Sequence, residues 1–296
     1  MISIKNHNAR DVIAALAGDI LAEAEESARE FKLKAGRKPH LRVLTFNCDE
    51  ASKVYVRNKL RDCERAGIDC DIVEFKATDN TSDVRHAIWD ANDDRGVDGI
   101  ILQLPVQKHV DPRVVNALDP GKDVDGVTCK NAYRLRVGDP WLEPCTPAGV
   151  MRLLHKIGAV KPGLKAVVVG RSEIVGKPMA DMLQLADMTV TTCNSKTPPA
   201  TLADECRHAD LIVTAVGKPG LITPDMLGYN QVVIDVGITR GDDGKLHGDV
   251  DTACADSCAF LSPVPGGIGL LTRAMLAYNV VEAARWYESA RWCECR

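Results

Sequence analysis

Apolar residues near the start of the chain recur every three or four positions: Ile13, Leu16, Ile20, Ala24, Ala28 and Phe31. This spacing predicts one amphipathic helix, which Gly36 ends. Beyond it, short apolar runs predict strands at residues 41–46, 72–75 and 99–104, and helical spacing predicts helices over 52–66 and 84–91. Gly67 is predicted to be a left-handed cap of the second helix. The alternation of strand and helix indicates a parallel sheet covered on both faces.

A segment rich in glycine and proline, residues 119–149, separates this pattern from a second alternation of strands and helices. Thr146 followed by Pro147 is typical of an N-cap and a first helical turn, so we predict a helix from there through His155. The pattern beyond predicts strands at residues 165–169, 189–193, 211–215 and 232–236, a helix over 176–186 and a last helix over 272–288.

These elements predict an α/β protein of two domains with parallel sheets. We expect an N-terminal α/β catalytic domain over residues 1–149 and a Rossmann-type dinucleotide-binding domain over 150–271. Helices close to a chain end often pack back on the first domain, so residues 272–296 are assigned to it.

Composition and charge narrow the class of protein. The chain has 296 residues and a formal net charge of -4, with no block of like charges, which argues against nucleic acid or an anionic membrane as partner. No apolar stretch reaches the roughly 18 residues needed to span a bilayer. Acids at Asp11, Asp19 and Glu23 argue against a mitochondrial transit peptide.

The 11 cysteines are scattered without a repeated spacing, and no secretory signal is recognisable. We therefore predict reduced thiols in a cytoplasmic protein. Cys293 and Cys295 are the one close pair near the C-terminus, but a zinc site requires two ligand pairs, so we predict no metal.

A glycine-containing loop at residues 170–176 lies between a predicted strand and a predicted helix, where a Rossmann-type fold binds phosphate. Gly170 begins the loop, Arg171 and Ile174 lie within it, and Ser172 stands where the usual G-x-G-x-x-G has its second glycine. A plain strand-turn-helix without a ligand is the alternative.

The end of the next strand favours NADP over NAD. An acidic residue there would bind the 2′-hydroxyl of NAD, but Ser195 and Lys196 offer a donor and a positive charge instead. Together with Arg171 they favour a 2′-phosphate. The strand ends at 215–217 and 235–238 contain glycine, as expected where backbone lines a ligand crevice.

Four other segments carry candidate chemistry. Tyr55 and Lys59 share a helix face, where a tyrosine can stack on a heterocycle and a lysine can act as acid or base, although such pairs are common on helices. Gln103 ends an apolar strand, either in a ligand crevice or at the edge of the core. The two acids in the loop 122–126 are suited to binding a donor-rich ring or a metal ion. The loop 263–269 either lets its backbone approach a ligand closely or is only a turn between two elements.

Six ordered segments resemble the methylenetetrahydrofolate dehydrogenase/cyclohydrolase family, and the resemblance covers residues 10–284. They are YVRNK at 55–59 with Cys63, DGIILQLP at 98–105, KDVDG at 122–126, PCTPAG at 144–149, GRSEIVGKP at 170–178 and PVPGGIG at 263–269. The resemblance implies that 5,10-methylenetetrahydrofolate is oxidised with NADP and that the methenyl product is hydrolysed to 10-formyltetrahydrofolate in the same cleft. It also implies a homodimer through the cofactor domain.

The resemblance assigns roles to residues of this chain. Lys59 is the acid/base group, Gln103 hydrogen-bonds and tunes it, Tyr55 stacks on the folate, and Asp125 holds the pterin ring. The remaining substrate-binding positions are Leu102, Leu104, Pro105, Pro265, Gly266 and Gly269. The cofactor-binding positions are Gly170, Arg171, Ser172, Ile174, Ser195, Ala215, Gly217, Gly237, Ile238 and Thr272.

Three positions depart from the family pattern. Val127-Thr128 replace Phe-His, Asn194 replaces a histidine that bears on the NADP preference, and Leu270-Leu271 replace Pro-Met. Three alternatives stay open: a dehydrogenase without cyclohydrolase activity, an amino-acid or shikimate-type dehydrogenase, and a non-catalytic folate or nucleotide binder. The presence of Lys59 and Gln103 argues against the first, and Lys59 alone argues against the third. The second would not need the Tyr55/Lys59 pair or the proline-glycine loop.

Overall fold

The computed structural model describes residues 9–46 and 50–294, without the side chains of residues 50–52, 54, 55 and 290–294. Tyr55 and the Cys293/Cys295 pair therefore lie outside the described side chains. The chain divides into two compact units. The N-terminal unit comprises residues 18–145 and 273–296, and the central unit comprises residues 146–272 with the described part of 1–17. Within the part of the chain that the structure describes, no helix meets the length and hydrophobicity required to cross a membrane.

The N-terminal unit contains a three-stranded parallel sheet in the order β2–β1–β3. The strands are β1 (His40–Thr45), β2 (Asp69–Glu74) and β3 (Gly99–Leu102). The first helix, α1 (Ala9–Ala35), precedes β1, and α2 (Glu50–Arg65) and α3 (Thr81–Asp93) connect the strands. Each predicted element is present, with boundaries shifted by a few residues. Gly67 has φ of 80°, which confirms the predicted left-handed position after α2.

A fourth helix, α4 (Cys129–Arg136), lies in the segment rich in glycine and proline, where we predicted no helix before Thr146. Thr128 caps it by accepting the N–H of Asn131 at 3.3 Å. The helix buries only Asn131 and Leu135, so it has no apolar stripe from which it could be predicted.

The central unit contains a five-stranded parallel sheet in the order β10–β7–β6–β4–β5. Its strands are β4 (Lys165–Val169), β5 (Thr189–Cys193), β6 (Leu211–Thr214), β7 (Gln231–Asp235) and β10 (Cys258–Leu261). Its helices are α5 (Cys145–Lys156), which belongs to this unit from Thr146 onward, α6 (Gly176–Leu185) and α7 (Pro199–Arg207). Two short strands, β8 (Thr239–Arg240) and β9 (Leu246–His247), pair in an antiparallel hairpin. The strand order reverses between β4 and β6, which is where such sheets bind ligands.

One prediction for this unit is wrong, and two of its elements were not predicted. Thr146 is not an N-cap, because α5 already begins at Cys145 and the hydroxyl of Thr146 lies 2.9 Å from that of Thr272. Neither α7 nor β10 was predicted. In α7 only Leu202 and Cys206 are buried, and in β10 only Phe260 is, so neither element shows a periodic apolar pattern.

The last helix, α8 (Ile268–Glu294), begins four residues before the predicted start at 272. From Arg273 onward it belongs to the N-terminal unit. Asn279 Nδ2 donates to the carbonyl oxygens of Val124 at 2.9 Å and Glu143 at 2.8 Å, and Arg273 Nε lies 2.6 Å from Asp62 Oδ2. The bond to Val124 joins α8 to the KDVDG segment, and the ion pair with Asp62 joins it to α2. The predicted α/β fold of two domains with parallel sheets is confirmed.

Candidate active site

The candidate catalytic side chains of the N-terminal unit lie near the carboxyl edge of its sheet. Ile100 of β3 donates its N–H to Lys122 O at 2.7 Å and forms an isolated parallel bridge with Asp123. The KDVDG loop therefore runs beside β3. Gln103 follows the last residue of that strand, and Lys59 comes from the helix after β1.

Lys59 and Asp125 form an ion pair, with Nζ 3.2 Å from Oδ2. The side chain of Lys59 is 4% exposed and that of Asp125 is 22% exposed. A lysine so far removed from water must share its charge with a partner, and the half-open carboxylate provides one that a ligand can reach. The structure thus brings together two residues that lie 66 positions apart.

Gln103 offers a free acceptor in the same region. Its Nε2 donates to Leu104 O at 3.0 Å, whereas its Oε1 is buried and has no hydrogen-bond partner among the described residues. The predicted bond between Gln103 and Lys59 is therefore absent from this structure and stays a prediction. A buried carbonyl oxygen without a partner is costly, which is expected at a position that serves a ligand.

The other residues of the KDVDG segment have structural contacts. Lys122 Nζ donates to the carbonyl oxygens of Ala91, Asn92 and Asp94 at 3.2, 2.7 and 2.8 Å. Asp123 is fully buried, and burial raises the pKa of its carboxyl group. It accepts hydrogen bonds from the backbone N–H groups of residues 127 and 128 and from the side-chain amide of residue 131. These contacts fix the loop and leave Asp125 as the acid that faces Lys59.

Cys145 is a buried thiol beside this pair that we did not predict as part of the site. Its Sγ donates to Val124 O at 3.2 Å. Burial, with a smaller contribution from the charge of Asp125, raises its pKa well above the ordinary value, so the group stays a neutral thiol. Asn279, whose amide holds the carbonyl of Val124, was also missed. Asn279 could have been identified from the sequence as a polar residue on the apolar face of the last helix.

The remaining predicted substrate positions follow β3 or lie on the proline-glycine loop. Leu102 is buried, Leu104 is half-buried and Pro105 is exposed. In the central unit, Gly266 has φ of 86°, and a Cβ at that position would lie 2.2 Å from Arg10 Nη1. The left-handed backbone favours glycine there, and any side chain would have to displace the guanidinium of Arg10. Pro265 is exposed and Gly269 is half-buried.

The loop after β4 is tightly closed. Gly170 has φ of 126°, and a Cβ there would lie 2.6 Å from Ala215 O. A Cβ on Gly176 would lie 2.5 Å from Gly170 O. The hydroxyl oxygen of Ser172 accepts the N–H groups of Val175 and Gly176, both at 3.2 Å. This close packing at the start of α6 leaves the side chains of the other two predicted loop positions, Arg171 and Ile174, exposed.

The turn after β5 presents the two residues that we expect to select the cofactor. Asn194 Oδ1 accepts the N–H of Lys196 at 3.0 Å, and Asn194 N–H donates to Thr197 Oγ1 at 3.0 Å. Ser195 and Lys196 are both exposed. Asn194, which replaces the histidine of the family pattern, therefore shapes this turn through its own side chain.

The other predicted cofactor positions lie at the ends of β6 and β7 and at the start of α8. Ala215, Gly217, Gly237 and Ile238 follow their strands, and Gly217 has φ of 74°. The hydroxyl of Thr272 is already engaged, since it donates to Ile268 O at 3.2 Å and contacts Thr146. Sequence reasoning missed Asp249, a fully buried acid that accepts the N–H groups on both sides of Gly217.

Comparison with protein families gives two matches that together span most of the chain. Residues 13–125 match the model described as "Tetrahydrofolate dehydrogenase/cyclohydrolase, catalytic domain". Residues 144–288 match that described as "Tetrahydrofolate dehydrogenase/cyclohydrolase, NAD(P)-binding domain". The chain belongs to the tetrahydrofolate dehydrogenase/cyclohydrolase family. Membership in this family removes the amino-acid or shikimate-type dehydrogenase as an alternative.

Several members of the family are similar over nearly their whole length. A bifunctional protein FolD from Magnetococcus marinus is 45% identical, over 92% of this chain and 95% of the relative. The FolD protein of Moorella thermoacetica is 46% identical, over 91% of this chain and 96% of the relative.

Two solved structures of the family have the same fold. FolD from Campylobacter jejuni superposes with a TM-score of 0.89 at 36% identity, covering 93% of this chain and 98% of that one. The dehydrogenase-cyclohydrolase of Trypanosoma brucei, solved with NADP and an inhibitor, gives 0.87 at 32% identity and covers 92% and 96%.

Proposed function

We propose that this protein oxidises 5,10-methylenetetrahydrofolate to 5,10-methenyltetrahydrofolate with NADP and hydrolyses the product to 10-formyltetrahydrofolate. It is an oxidoreductase and a hydrolase in one chain. The observation that carries the proposal is the buried Lys59–Asp125 pair in a domain of this family. A dehydrogenase alone has no need of a buried lysine, because hydride transfer moves no proton.

The residues present fit NADP. Gly170 and Gly176 leave room for backbone alone at the start of α6, where the helix N-terminus favours phosphate. Exposed Ser195 and Lys196 give a donor and a cation for a 2′-phosphate, and Arg171 adds a second cation. We assign the strand ends at Ala215–Gly217 and Gly237–Ile238 to the same ligand. NADP supplies the hydride acceptor when it is bound.

For the hydrolysis we assign proton transfer to Lys59. Water adds to the electron-poor methenyl carbon while the neutral amine of Lys59 takes one of its protons. The cationic substrate favours the neutral amine, because like charges disfavour a second positive charge nearby. The bond from that carbon to N5 then breaks as Lys59 returns this proton to N5, and the proton left on the new hydroxyl is lost to water, which yields the 10-formyl product and one released proton. Gln103 Oε1 is assigned to orient this lysine or the attacking water.

We assign Asp125 to the pterin ring, because its half-exposed carboxylate can accept N–H groups of a donor-rich heterocycle. Binding of substrate would then draw Asp125 toward the ring and leave Lys59 less firmly paired. Tyr55 is assigned to stack on the folate on the strength of the family resemblance.

We also propose a homodimer through the central unit and a cytoplasmic location. The eight cysteines whose side chains are described form no disulfide, which suits a reducing compartment. The residues described contain no cluster of His, Cys, Asp or Glu that could hold a metal ion. Light scattering coupled to size-exclusion chromatography tests the dimer, and a monomer at micromolar concentration would contradict it.

The experiment that tests the function mixes purified protein with 5,10-methylenetetrahydrofolate and either NADP or NAD. NADPH and the methenyl compound are followed at their separate absorbances. The proposal predicts rapid NADPH formation with little accumulation of methenyl compound. Turnover with persistent accumulation would remove the cyclohydrolase, and the absence of turnover with either nucleotide would remove the dehydrogenase.

A further inference from the structure

Two buried carboxylates connect the loops that follow β6 and β7 in the central unit. Asp235 is the last residue of β7 and is 3% exposed. Asp249 follows the hairpin of β8 and β9 and is fully buried. Buried acids of this kind require compensation by donors, so their partners show what they hold in place.

The carboxylate of Asp249 fixes the turn after β6. Its Oδ2 accepts the N–H of Val216 at 2.7 Å, and its Oδ1 accepts the N–H of Lys218 at 2.7 Å. Between these residues lies Gly217, whose φ is 74°. Both oxygens of one side chain therefore hold the turn in which we assign cofactor contacts.

Asp235 holds the backbone of Asp249 in turn. Its Oδ1 accepts the N–H groups of Gly237 at 3.0 Å and Asp249 at 3.1 Å, and its Oδ2 accepts that of Val250 at 2.9 Å. The hydroxyl of Thr214, at the end of β6, donates to the same carboxylate at 3.2 Å. The ends of β6 and β7 are thus joined through two acids in series.

The close approach of these carboxylates accounts for two glycines. A Cβ on Gly237 would lie 2.2 Å from the carboxyl carbon of Asp249, and a Cβ on Gly248 would lie 2.0 Å from Asp235 Oδ2. Neither contact is tolerable for any side chain. Gly237 is therefore required by the carboxylate packed against it, whatever the cofactor contributes.

We propose that Asp249 is a positioning residue for the dinucleotide: it sets the backbone of residues 216–218 for binding NADP without itself touching the cofactor. This inference rests on the proposed function. An amide at this position has one acceptor oxygen, so its NH₂ group would oppose the N–H of residue 216 or residue 218. The turn must then shift, and the assigned cofactor contacts shift with it.

The test compares Asp249→Asn with Asp251→Asn. Asp251 is a matched control because its side chain also accepts a backbone N–H, that of Ala253 at 2.9 Å, but this bond lies in its own turn and not at residues 216–218. Titration calorimetry gives Kd for NADP, steady-state kinetics give KM for NADP, and methenyl hydrolysis is measured with no nucleotide present. We expect Asp249→Asn to raise Kd and KM for NADP at least tenfold and to leave hydrolysis within twofold. Asp251→Asn should change none of these values.

Two results would overturn the inference. One is a wild-type Kd for NADP in Asp249→Asn, and the other is a parallel loss of methenyl hydrolysis, which indicates general damage to the fold. If the Asn variant is insoluble, Asp249→Ser keeps one acceptor oxygen in a smaller volume and carries the same test. Failure of the wild type to turn over with NADP would contradict the proposed function, while the two Kd values would still decide the role of Asp249.

Discussion

At the scale of single residues, the site combines buried polar groups that are costly to fold. Lys59 is almost fully buried against Asp125, and Gln103 Oε1 has no partner among the described residues. Such groups are retained where they serve a ligand, because an apolar side chain would be more stable there. Activity and stability should therefore respond in opposite directions to substitution at Gln103.

The first prediction concerns Gln103→Leu. Removing an unsatisfied buried oxygen should leave the free energy of unfolding unchanged or raise it by about 1 kcal/mol. Methenyl hydrolysis should fall by roughly 10²-fold, which is typical for loss of a group that supports acid–base chemistry. Urea unfolding and the decay of methenyl absorbance measure the two effects. A less stable variant with full hydrolysis would contradict the assignment.

The second prediction concerns the acidity of Asp235. Burial, with the neighbouring charge of Asp249, raises its pKa from 3.8 to about 6, although backbone N–H groups and Thr214 oppose the shift. Because the folded pKa lies above the unfolded one, the contribution of this group to stability falls as pH rises from about 4 to about 6. Carbon-13 NMR of labelled aspartate, assigned with Asp235→Asn, should show a midpoint near pH 6. A midpoint near 4 would contradict the buried environment.

At the scale of elements, periodicity predicted the long helices and the buried strands. The bounds of β4 were predicted to the residue, because the four residues after its first are all apolar and, on both faces of the sheet, all buried. The helices α4 and α7 could not be predicted in the same way, since each buries only two residues. Asp249 was missed because its partners are backbone N–H groups of distant segments, which leave no pattern in the sequence.

The third prediction compares a glycine within α1 with the glycine that follows the helix. Gly18 lies within the helix and Gly36 follows it with φ of 72°, and a Cβ at either position meets nothing within 4 Å. Gly18→Ala should raise the free energy of unfolding by about 1 kcal/mol, because alanine favours the helix. Gly36→Ala should lower it by about 1 kcal/mol, because a left-handed conformation is unfavourable for alanine. Thermal unfolding measures the change in the free energy of unfolding for both variants. Changes of the same sign would contradict the left-handed conformation assigned to Gly36.

At the scale of the whole molecule, the residues assigned to the two parts of the chemistry lie in two units with separate parallel sheets. The Lys59–Asp125 pair lies in the N-terminal unit, and the loops assigned to NADP lie in the central unit. The long helices and most strands, in their order, could be predicted from the sequence, and the family resemblance pointed to Lys59 and Asp125. The ion pair between Lys59 and Asp125 could not be predicted from the sequence, because it depends on how the KDVDG loop runs beside β3.

The fourth prediction concerns the choice of nucleotide. Lys196 is exposed beside Ser195 on the turn shaped by Asn194, so its charge should favour a 2′-phosphate. Lys196→Ala should raise KM for NADP by about tenfold and leave KM for NAD unchanged. Lys161→Ala, at another exposed position of the central unit, is the control. Equal effects on both nucleotides would contradict a specific contact with the phosphate.

The central claim is that one chain carries both reactions and that Lys59 is required only for the second. The most direct measurement follows NADPH and the methenyl compound together after 5,10-methylenetetrahydrofolate and NADP are mixed with Lys59→Ala. The account predicts continued NADPH formation while the methenyl compound accumulates, with hydrolysis slowed by 10²-fold or more. Methenyl hydrolysis at the wild-type rate in this variant would contradict it.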